Sequence, residues 1–267
     1  MLAKTALALT SLCSVALAGV RSGKAEAEWI AASATYQPGK PVHTGLRLVL
    51  DEGWHTYWVN PGEGGMVISV KWELPARWSA GELKYPVPIR FTTGGLAGFG
   101  YEGTVVFPVA FTPPPDAAGK VKLTGNVSWL TCNDESCVPG NARIELTLDA
   151  GPAAATEATE EIEETLAAIP RSGESEFSMT ITEKPETLVL TLEANSESAW
   201  NPGDSEVFAA TPQVIAPAAK IQFIGGGRKW TAEVPKSEYA TQPIRELKLV
   251  FAKSNQEPPR FLLWKAP

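Results

Sequence analysis

Apolar and polar residues alternate with a period of two in several short segments of residues 28–150. In segment 46–51, leucine occupies every second position, and segments 121–127 and 143–148 show a similar alternation. This spacing is typical of half-buried antiparallel strands. Because no helical pattern separates these strands, residues 28–150 are predicted to form an immunoglobulin-like β-sandwich.

A second β-rich region is predicted for residues 177–267, again as a sandwich. Its candidate strands are 177–182, 187–192, 221–224, 230–234 and 246–252. Three consecutive glycines follow the third candidate, and they indicate a turn. A phosphate-binding loop would need a following Lys-Ser/Thr and a helix start, and Arg228-Lys229-Trp230 supplies neither.

Residues 151–176 differ in composition from both flanking regions and are predicted to be a linker. A helix is expected over 156–168, because Ile162, Leu166 and Ile169 are spaced to share one face. We expect this helix to tether the two domains, and a partner-binding helix is the alternative. The predicted fold class is therefore all-β, with two immunoglobulin-like β-sandwich domains joined by a short helical linker.

The N-terminal residues have the pattern of an export signal, predicted over residues 1–27. Lys4 precedes an apolar stretch, 6–18, that is too short to span a membrane. Small residues place cleavage after Ala18 or after Ala27. No later stretch of about 18 apolar residues follows, so the mature chain is expected to be a soluble periplasmic protein without a transmembrane segment. The formal net charge of −7 disfavours nucleic acid and anionic lipid as partners.

Two cysteines, Cys132 and Cys137, are the residues most informative about function. The third cysteine, Cys13, lies inside the export signal, so the mature chain would keep one close pair in an oxidising compartment. A disulfide closing so short a loop contributes only about 2 kcal/mol of stability. The pair is therefore better explained by its chemistry, although a surface staple remains open. Strand parity predicts that Cys132 points outward, opposite the face of Val127 and Trp129.

The surroundings of the pair suggest modest reactivity. Asp134 and Glu135 lie between the cysteines, and negative charge raises the pKa of a thiol. A poorly activated pair indicates a relay that needs a specific partner. The two histidines, His43 and His55, lack the spacing of metal ligands, so neither a metal nor a cofactor is expected. His55 lies among aromatic residues, where a packed or surface histidine is expected.

Ordered motifs resemble the N-terminal periplasmic region of the thiol–disulfide interchange protein DsbD, and more closely its ScsB-type relatives. The segment 53–65 reads GWHTYWVNPGEGG, and YPVP (85–88), GYEG (100–103) and VVFPV (105–109) continue the pattern in order. The cysteine segment 129–139 completes it. The resemblance covers about residues 27–148, with weaker similarity from Phe208 to Phe251.

The resemblance implies that Cys132 and Cys137 form a redox pair that passes electrons between thioredoxin-like periplasmic proteins. Cys137 would form the mixed disulfide with partners, and Phe99 and Tyr101 are candidates for an aromatic cap over the pair. Because the chain ends at Pro267 without a membrane or thioredoxin-like domain, a separate membrane protein is expected as electron donor. The competing hypothesis is a non-catalytic accessory binding module with a structural disulfide.

Overall fold

The computed structural model describes residues 19–195, 200–253 and 258–267. The described residues are mostly β-strand, with one α-helix among them. The predicted all-β class with immunoglobulin-like sandwiches is confirmed. The apolar stretch of the predicted export signal lies outside the described residues. The single described helix is not long and apolar enough to cross a membrane.

The first domain consists of two facing sheets. Its strands are β1 (Val20–Ser22), β2 (Ala25–Ala31), β3 (Thr35–Tyr36), β4 (Val42–Leu50), β5 (His55–Gly62), β6 (Ser69–Glu73), β7 (Ser79–Ala80), β8 (Ile89–Thr93), β9 (Leu96–Glu102), β10 (Thr104–Thr112), β11 (Lys120–Cys132) and β12 (Cys137–Ala150). One sheet has the order β1-β2-β4-β10-β7, and the other has the order β3-β12-β11-β5-β9-β8, with β6 also pairing with β11. Every pairing in this domain is antiparallel except that of β3 with β12.

The predicted alternation accounts for the core between these sheets. Leu46, Leu48 and Leu50 on β4 are buried, whereas Val49, which lies between Leu48 and Leu50, is exposed. The apolar positions of β11 and β12 are buried in the same way. The three alternating segments are therefore strands that turn one side chain in two toward the core.

The N-terminal strands bear on the choice between the two predicted cleavage sites. Ala25 and Ala27 are fully buried, and β2 pairs with β4 along its whole length. Cleavage after Ala27 would remove β1 and the first buried residues of β2. Cleavage after Ala18 would leave this sheet complete, so the later site does not fit the fold.

The linker is packed against the first domain. Its helix, α1 (Thr159–Ala167), is shorter at both ends than the predicted helix. Ile162 is fully buried in a small cluster with Ile30 and Val106, and Arg47 donates a hydrogen bond of 2.8 Å to Glu161. These contacts fix the helix to the first domain, and its tethering role stays a prediction.

The second domain is a smaller pair of four-stranded sheets. Its strands are β13 (Arg171–Ser172), β14 (Phe177–Glu183), β15 (Thr187–Ala194), β16 (Ser205–Ala209), β17 (Ile224–Gly226), β18 (Lys229–Pro235), β19 (Glu246–Lys253) and β20 (Arg260–Lys265). The sheet orders are β13-β20-β19-β16 and β14-β15-β18-β17. Four of the five predicted strands are present. Strands β13, β16 and β20 were not predicted, and only Ile224 of β17 was. The predicted strand 221–224 is wrong over most of its length, because residues 221–223 form a loop. The side chains of Ile221 and Phe223 are buried although they belong to this loop.

The two domains share part of one apolar core. Phe208 on β16 belongs to the core cluster of the first domain. Its ring centroid lies 6.1 Å from that of Trp58 and 5.9 Å from that of Phe99. Asn60 on β5 donates a hydrogen bond of 2.8 Å to the backbone oxygen of Ala209. The second domain thus packs directly against β5 and β9, next to the strands that lead to the cysteines.

Candidate redox-active site

The cysteines close a long antiparallel hairpin. Strands β11 and β12 stay in register from Lys120, opposite Asp149, to Cys132, opposite Cys137. The connecting turn is held by Asn133, whose backbone N–H donates to the Ser136 oxygen at 3.0 Å. The Asn133 side-chain oxygen accepts from the backbone N–H groups of Glu135 and Ser136. The turn therefore places the two cysteines opposite each other without help from a covalent bond.

Cys132 and Cys137 form the predicted disulfide. Their sulfurs are bonded at 2.06 Å, and their Cα atoms are 4.1 Å apart. The sulfurs bridge two residues that are already paired across the hairpin, so the bond adds little constraint to the folded domain.

The two cysteines differ sharply in exposure. Cys132 is fully buried, whereas Cys137 is exposed. The prediction that Cys132 points outward into solvent is wrong. Its side chain lies on the strand face opposite Trp129, as parity requires, but this face is not open at the end of β11. Strand β5 pairs there, with His55 directly opposite Cys132.

His55 is the centre of an aromatic cluster on this face. Its ring centroid is 3.8 Å from that of Phe91 and 5.4 Å from that of Tyr57. The Thr93 hydroxyl lies 3.1 Å from Nε2 of His55, within hydrogen-bond distance. Burial lowers the pKa of His55, and the negative charge of Asp134 opposes this only in part. Burial therefore favours the neutral imidazole. Of the two expected environments, packed or surface, His55 occupies the packed one.

Phe91 reaches His55 across two glycines of the neighbouring strand. A Cβ atom on Gly98 would lie 2.4 Å from the Phe91 ring, and one on Gly100 would lie 3.0 Å from it. Any larger residue at Gly98 would displace the ring. The β8–β9 hairpin thus places the Phe91 ring beside His55, which is paired with the buried Cys132. Sequence reasoning missed Phe91, and the available signal was the alternation of glycines in Gly98-Phe99-Gly100.

The two predicted cap residues lie elsewhere. Phe99 is packed between Trp58 and Phe208, and Tyr101 is buried with its hydroxyl donating to the Pro86 oxygen at 2.8 Å. Tyr101 pairs with Thr56, whereas Glu102 pairs with His55. Because neighbours along a strand point to opposite faces, Tyr101 lies on the core face and Cys132 on the other. This position is at odds with the shielding role predicted for the two rings.

A polar cavity of about 460 Å³ adjoins the cysteine turn. It is lined by Gly53, His55, Phe91, Thr92, Glu102, Asn133, Asp134 and Glu135. Three of these residues are carboxylates, so the approach to this side of the disulfide is acidic. Among the described residues, no group of three or more His, Cys, Asp and Glu side chains is arranged to hold a metal ion. The second histidine, His43, is exposed on β4.

Comparisons with known proteins agree with this geometry. Residues 25–149 match the family model described as "Thiol:disulfide interchange protein DsbD, N-terminal". The N-terminal periplasmic domain of ScsB from Proteus mirabilis has a similar structure, with 21% sequence identity and a TM-score of 0.66. That match covers 91% of this chain and 93% of the ScsB domain, so the fold likeness includes both domains.

Two further comparisons do not help to identify the family or the fold of this chain. The sporulation control protein Spo0M from Bacillus subtilis aligns over 92% of this chain and 91% of its own, at 12% identity. Its TM-score of 0.23 is too low to indicate a common fold. No curated protein sequence matches the chain significantly.

Proposed function

We propose that this chain, whose residues 25–149 match the family model of the N-terminal domain of the thiol:disulfide interchange protein DsbD, relays electrons between thioredoxin-like proteins through Cys132 and Cys137. The family match and the disulfide identify a thiol–disulfide interchange module. We propose in addition the relay role, the kind of partner and the separate roles of the two sulfurs.

The observation that carries the proposal is the unequal exposure of the two cysteines. Thiol–disulfide exchange requires a thiolate to reach one sulfur along the axis of the S–S bond, so access decides which sulfur is attacked. Cys137 is exposed and Cys132 is fully buried. An incoming thiolate would therefore attack Cys137 and release Cys132.

The exchange is a transfer of two electrons. A partner thiolate attacks the Cys137 sulfur, the Cys132–Cys137 bond breaks, and Cys132 leaves as a thiolate that takes up a proton. The second thiolate of the partner then attacks the partner's own sulfur in the mixed disulfide and releases Cys137. The partner ends as a disulfide and this chain as a dithiol. With an oxidised acceptor the steps run in reverse, and Cys132 resolves the mixed disulfide formed by Cys137.

The compartment and partners follow from the same chemistry. An exchangeable disulfide persists in an oxidising space, and the ScsB domain with the similar structure is described as periplasmic. We therefore propose that this chain works in the periplasm, where thioredoxin-like proteins are its exchange partners.

Trapping with single-cysteine variants tests the proposal. In Cys132→Ser, the exposed Cys137 keeps a free thiol and should form a mixed disulfide with an oxidised thioredoxin-like protein, visible on a non-reducing gel. In Cys137→Ser, the remaining thiol is buried, and trapping should fall by about tenfold or more, because exchange depends on access. The double Cys→Ser variant is the control for non-covalent association.

Two results would contradict the proposal in different ways. Equal trapping by both single variants would overturn the assignment of Cys137 as the exchange site. No trapping by either variant, together with a reduction potential below about −300 mV, would mark the disulfide as structural. That second outcome would favour the accessory binding module.

A further inference from the structure

A cavity of about 750 Å³ lies where the first domain, the linker and the second domain meet. The first domain contributes residues of β5 and β10 and the segment 81–85, and the linker contributes Ile169 and Pro170. The second domain contributes residues 210–212, β19 and Phe261 of β20. No residue of this lining borders the acidic cavity beside the cysteine turn. The interdomain cavity is thus distinct from the proposed exchange site.

Backbone hydrogen bonds fix both walls of the interdomain cavity. On the first domain, the N–H of Lys84 donates to the Pro108 oxygen at 2.8 Å. On the second domain, the N–H of Lys248 donates to the Thr211 hydroxyl at 2.8 Å. The Lys248 oxygen accepts from the N–H of Ala210, also at 2.8 Å. A ligand that enters a site with fixed walls loses little of its binding free energy to ordering the protein.

Most side chains that line the cavity are apolar. Trp58 and Val250 are each 2% exposed and belong to the core of the first domain, and both reach the lining. Leu83, Tyr85 and Phe261 are half-buried around them. Sites for small molecules are typically apolar cavities of about 300–1,000 Å³, and they are frequent at domain interfaces. The volume and the lining therefore suit an organic molecule with an apolar body.

Lys248 is the cation in this lining that is best placed to meet a ligand. Its side chain is half-buried, and Nζ lies 4.1 Å from the centroid of the Phe261 ring. This cation–π contact holds the ammonium against the wall of the second domain. The Lys248 side chain makes no hydrogen bond or ion pair with another described residue. An anion would therefore gain a charge-assisted hydrogen bond there without displacing a protein partner.

The other charges around the cavity leave the Lys248 charge uncompensated. Glu246 also lines the cavity, but its carboxylate lies 3.6 Å from Nζ of Lys265. Lys84 and Glu82 are both exposed on the opposite wall, where their charges offset each other. The interdomain cavity is thus locally cationic in a chain whose formal net charge is −7. This field favours an anionic ligand over a cationic one.

We propose that the interdomain cavity binds a small amphipathic anion. Its apolar body lies against Leu83 and Tyr85 of the first domain, and its anionic group lies at Lys248 of the second. The ligand touches both domains and so stabilises their packing, because it binds only the folded arrangement. The site goes beyond the proposed function and does not depend on it, since neither cysteine lines the cavity.

Fluorescence titration of the oxidised full chain with two related dyes tests this site. Anilinonaphthalene sulfonate carries one anionic group on an apolar ring system, and phenylnaphthylamine has the same rings without the charge. Both dyes should bind saturably at one site per chain, and the sulfonate should bind more tightly. Lys248→Gln should raise the Kd of the sulfonate about tenfold, the factor expected for one charged hydrogen bond. The Kd of the neutral dye should stay unchanged.

Two further variants control for charge and for shape. Lys229→Gln should leave both Kd values unchanged, because Lys229 lies on β18 outside the cavity and pairs with Glu193 at 3.6 Å. Ala110→Phe adds a ring at a half-buried position of the lining and should weaken both dyes. If Ala110→Phe unfolds, Leu83→Asn replaces it, with the same expected loss for both dyes.

Several results would overturn the proposed anion site. Binding that does not saturate would mark the dyes as adsorbed to the surface. An equal loss of both dyes in Lys248→Gln, or an equal effect of Lys229→Gln, would remove the specific role of the Lys248 charge. Unchanged dye binding in the folded Ala110→Phe or Leu83→Asn variant would place the dyes outside the cavity. Each of these outcomes leaves the trapping result for Cys137 intact.

Discussion

Removing the Cys132–Cys137 bond should lower the free energy of unfolding by only about 2 kcal/mol. A disulfide stabilises mainly by restricting the unfolded chain, and the restriction grows with the length of the closed loop. The two cysteines are separated by 5 positions. For so short a loop the chain-entropy relation gives about 2 kcal/mol at 25 °C, against about 4.7 kcal/mol for a hundred-residue loop.

The folded state should tolerate the loss. The pairing of β11 with β12 and the hydrogen bonds of Asn133 hold the turn independently of the sulfurs. A buried thiol at Cys132 behaves as a small apolar side chain, so it leaves no unpaired charge in the core. No large native-state cost is therefore added to the entropic one.

Chemical denaturation of the oxidised and reduced proteins checks this value. Guanidinium unfolding followed by tryptophan fluorescence gives both free energies, and the Cys132→Ala/Cys137→Ala variant should match the reduced protein. A loss of about 2 kcal/mol corresponds to a fall in Tm of about 4–8 °C for a protein of this size. A loss above about 4 kcal/mol, or unfolding of the first domain on reduction, would refute the reasoning.

Three other perturbations have definite expected results. Trp58→Ala should cost about 3–5 kcal/mol in unfolding free energy, because a large ring 2% exposed is removed from the core. Gly98→Ala should lower the unfolding free energy by about 1–3 kcal/mol, because its Cβ would lie 2.4 Å from the Phe91 ring. Stability should fall as the pH drops below about 6.5, because the pKa of His55 is lower in the folded than in the unfolded chain. In His55→Gln this part of the pH dependence should disappear.

Each of these results has a contrary outcome. Trp58→Ala that remains stable but loses partner binding would replace the packing role of this ring by a docking role. Gly98→Ala with an unchanged unfolding free energy would show that the Phe91 ring shifts without cost. Identical acid profiles of His55→Gln and the unmodified protein, measured by Tm between about pH 7.5 and 5, would show that His55 does not titrate differently on folding.

Local patterns in the sequence predicted the fold well where burial follows strand parity. Leu46 and Leu48 on β4 are buried at every second position, as expected. The linker helix was predicted from the spacing of Ile162 and its neighbours. The prediction failed for segment 221–224, because Ile221 and Phe223 are apolar in a loop that packs on the core. Periodicity cannot distinguish such a loop from a short strand.

The cysteine pair was predictable from the sequence, but the cover around Cys132 was not. Strand parity predicted the correct face for Cys132 but not its burial. The burial depends on β5 and on the β8–β9 hairpin, which are distant from Cys132 in sequence. His55 lies opposite Cys132 across a single strand pairing, and no local pattern encodes that register. Phe99 and Tyr101 were candidates for a cap because of the family resemblance, whereas Phe91 on the partner strand lies beside His55 on the face of Cys132.

The core shared by the two domains constrains how such a chain can change during evolution. Phe208, Ala210 and Val250 belong to the same apolar cluster as Trp58 and Phe99. A gene fragment ending at the linker would lack Phe208 and would expose the rings of Trp58 and Phe99 to water. The cost would be about 1.5–3 kcal/mol for each large side chain uncovered. The second domain is therefore not a freely exchangeable module. A replacement inherited by recombination would need an aromatic residue in place of Phe208 and a backbone oxygen within reach of Asn60.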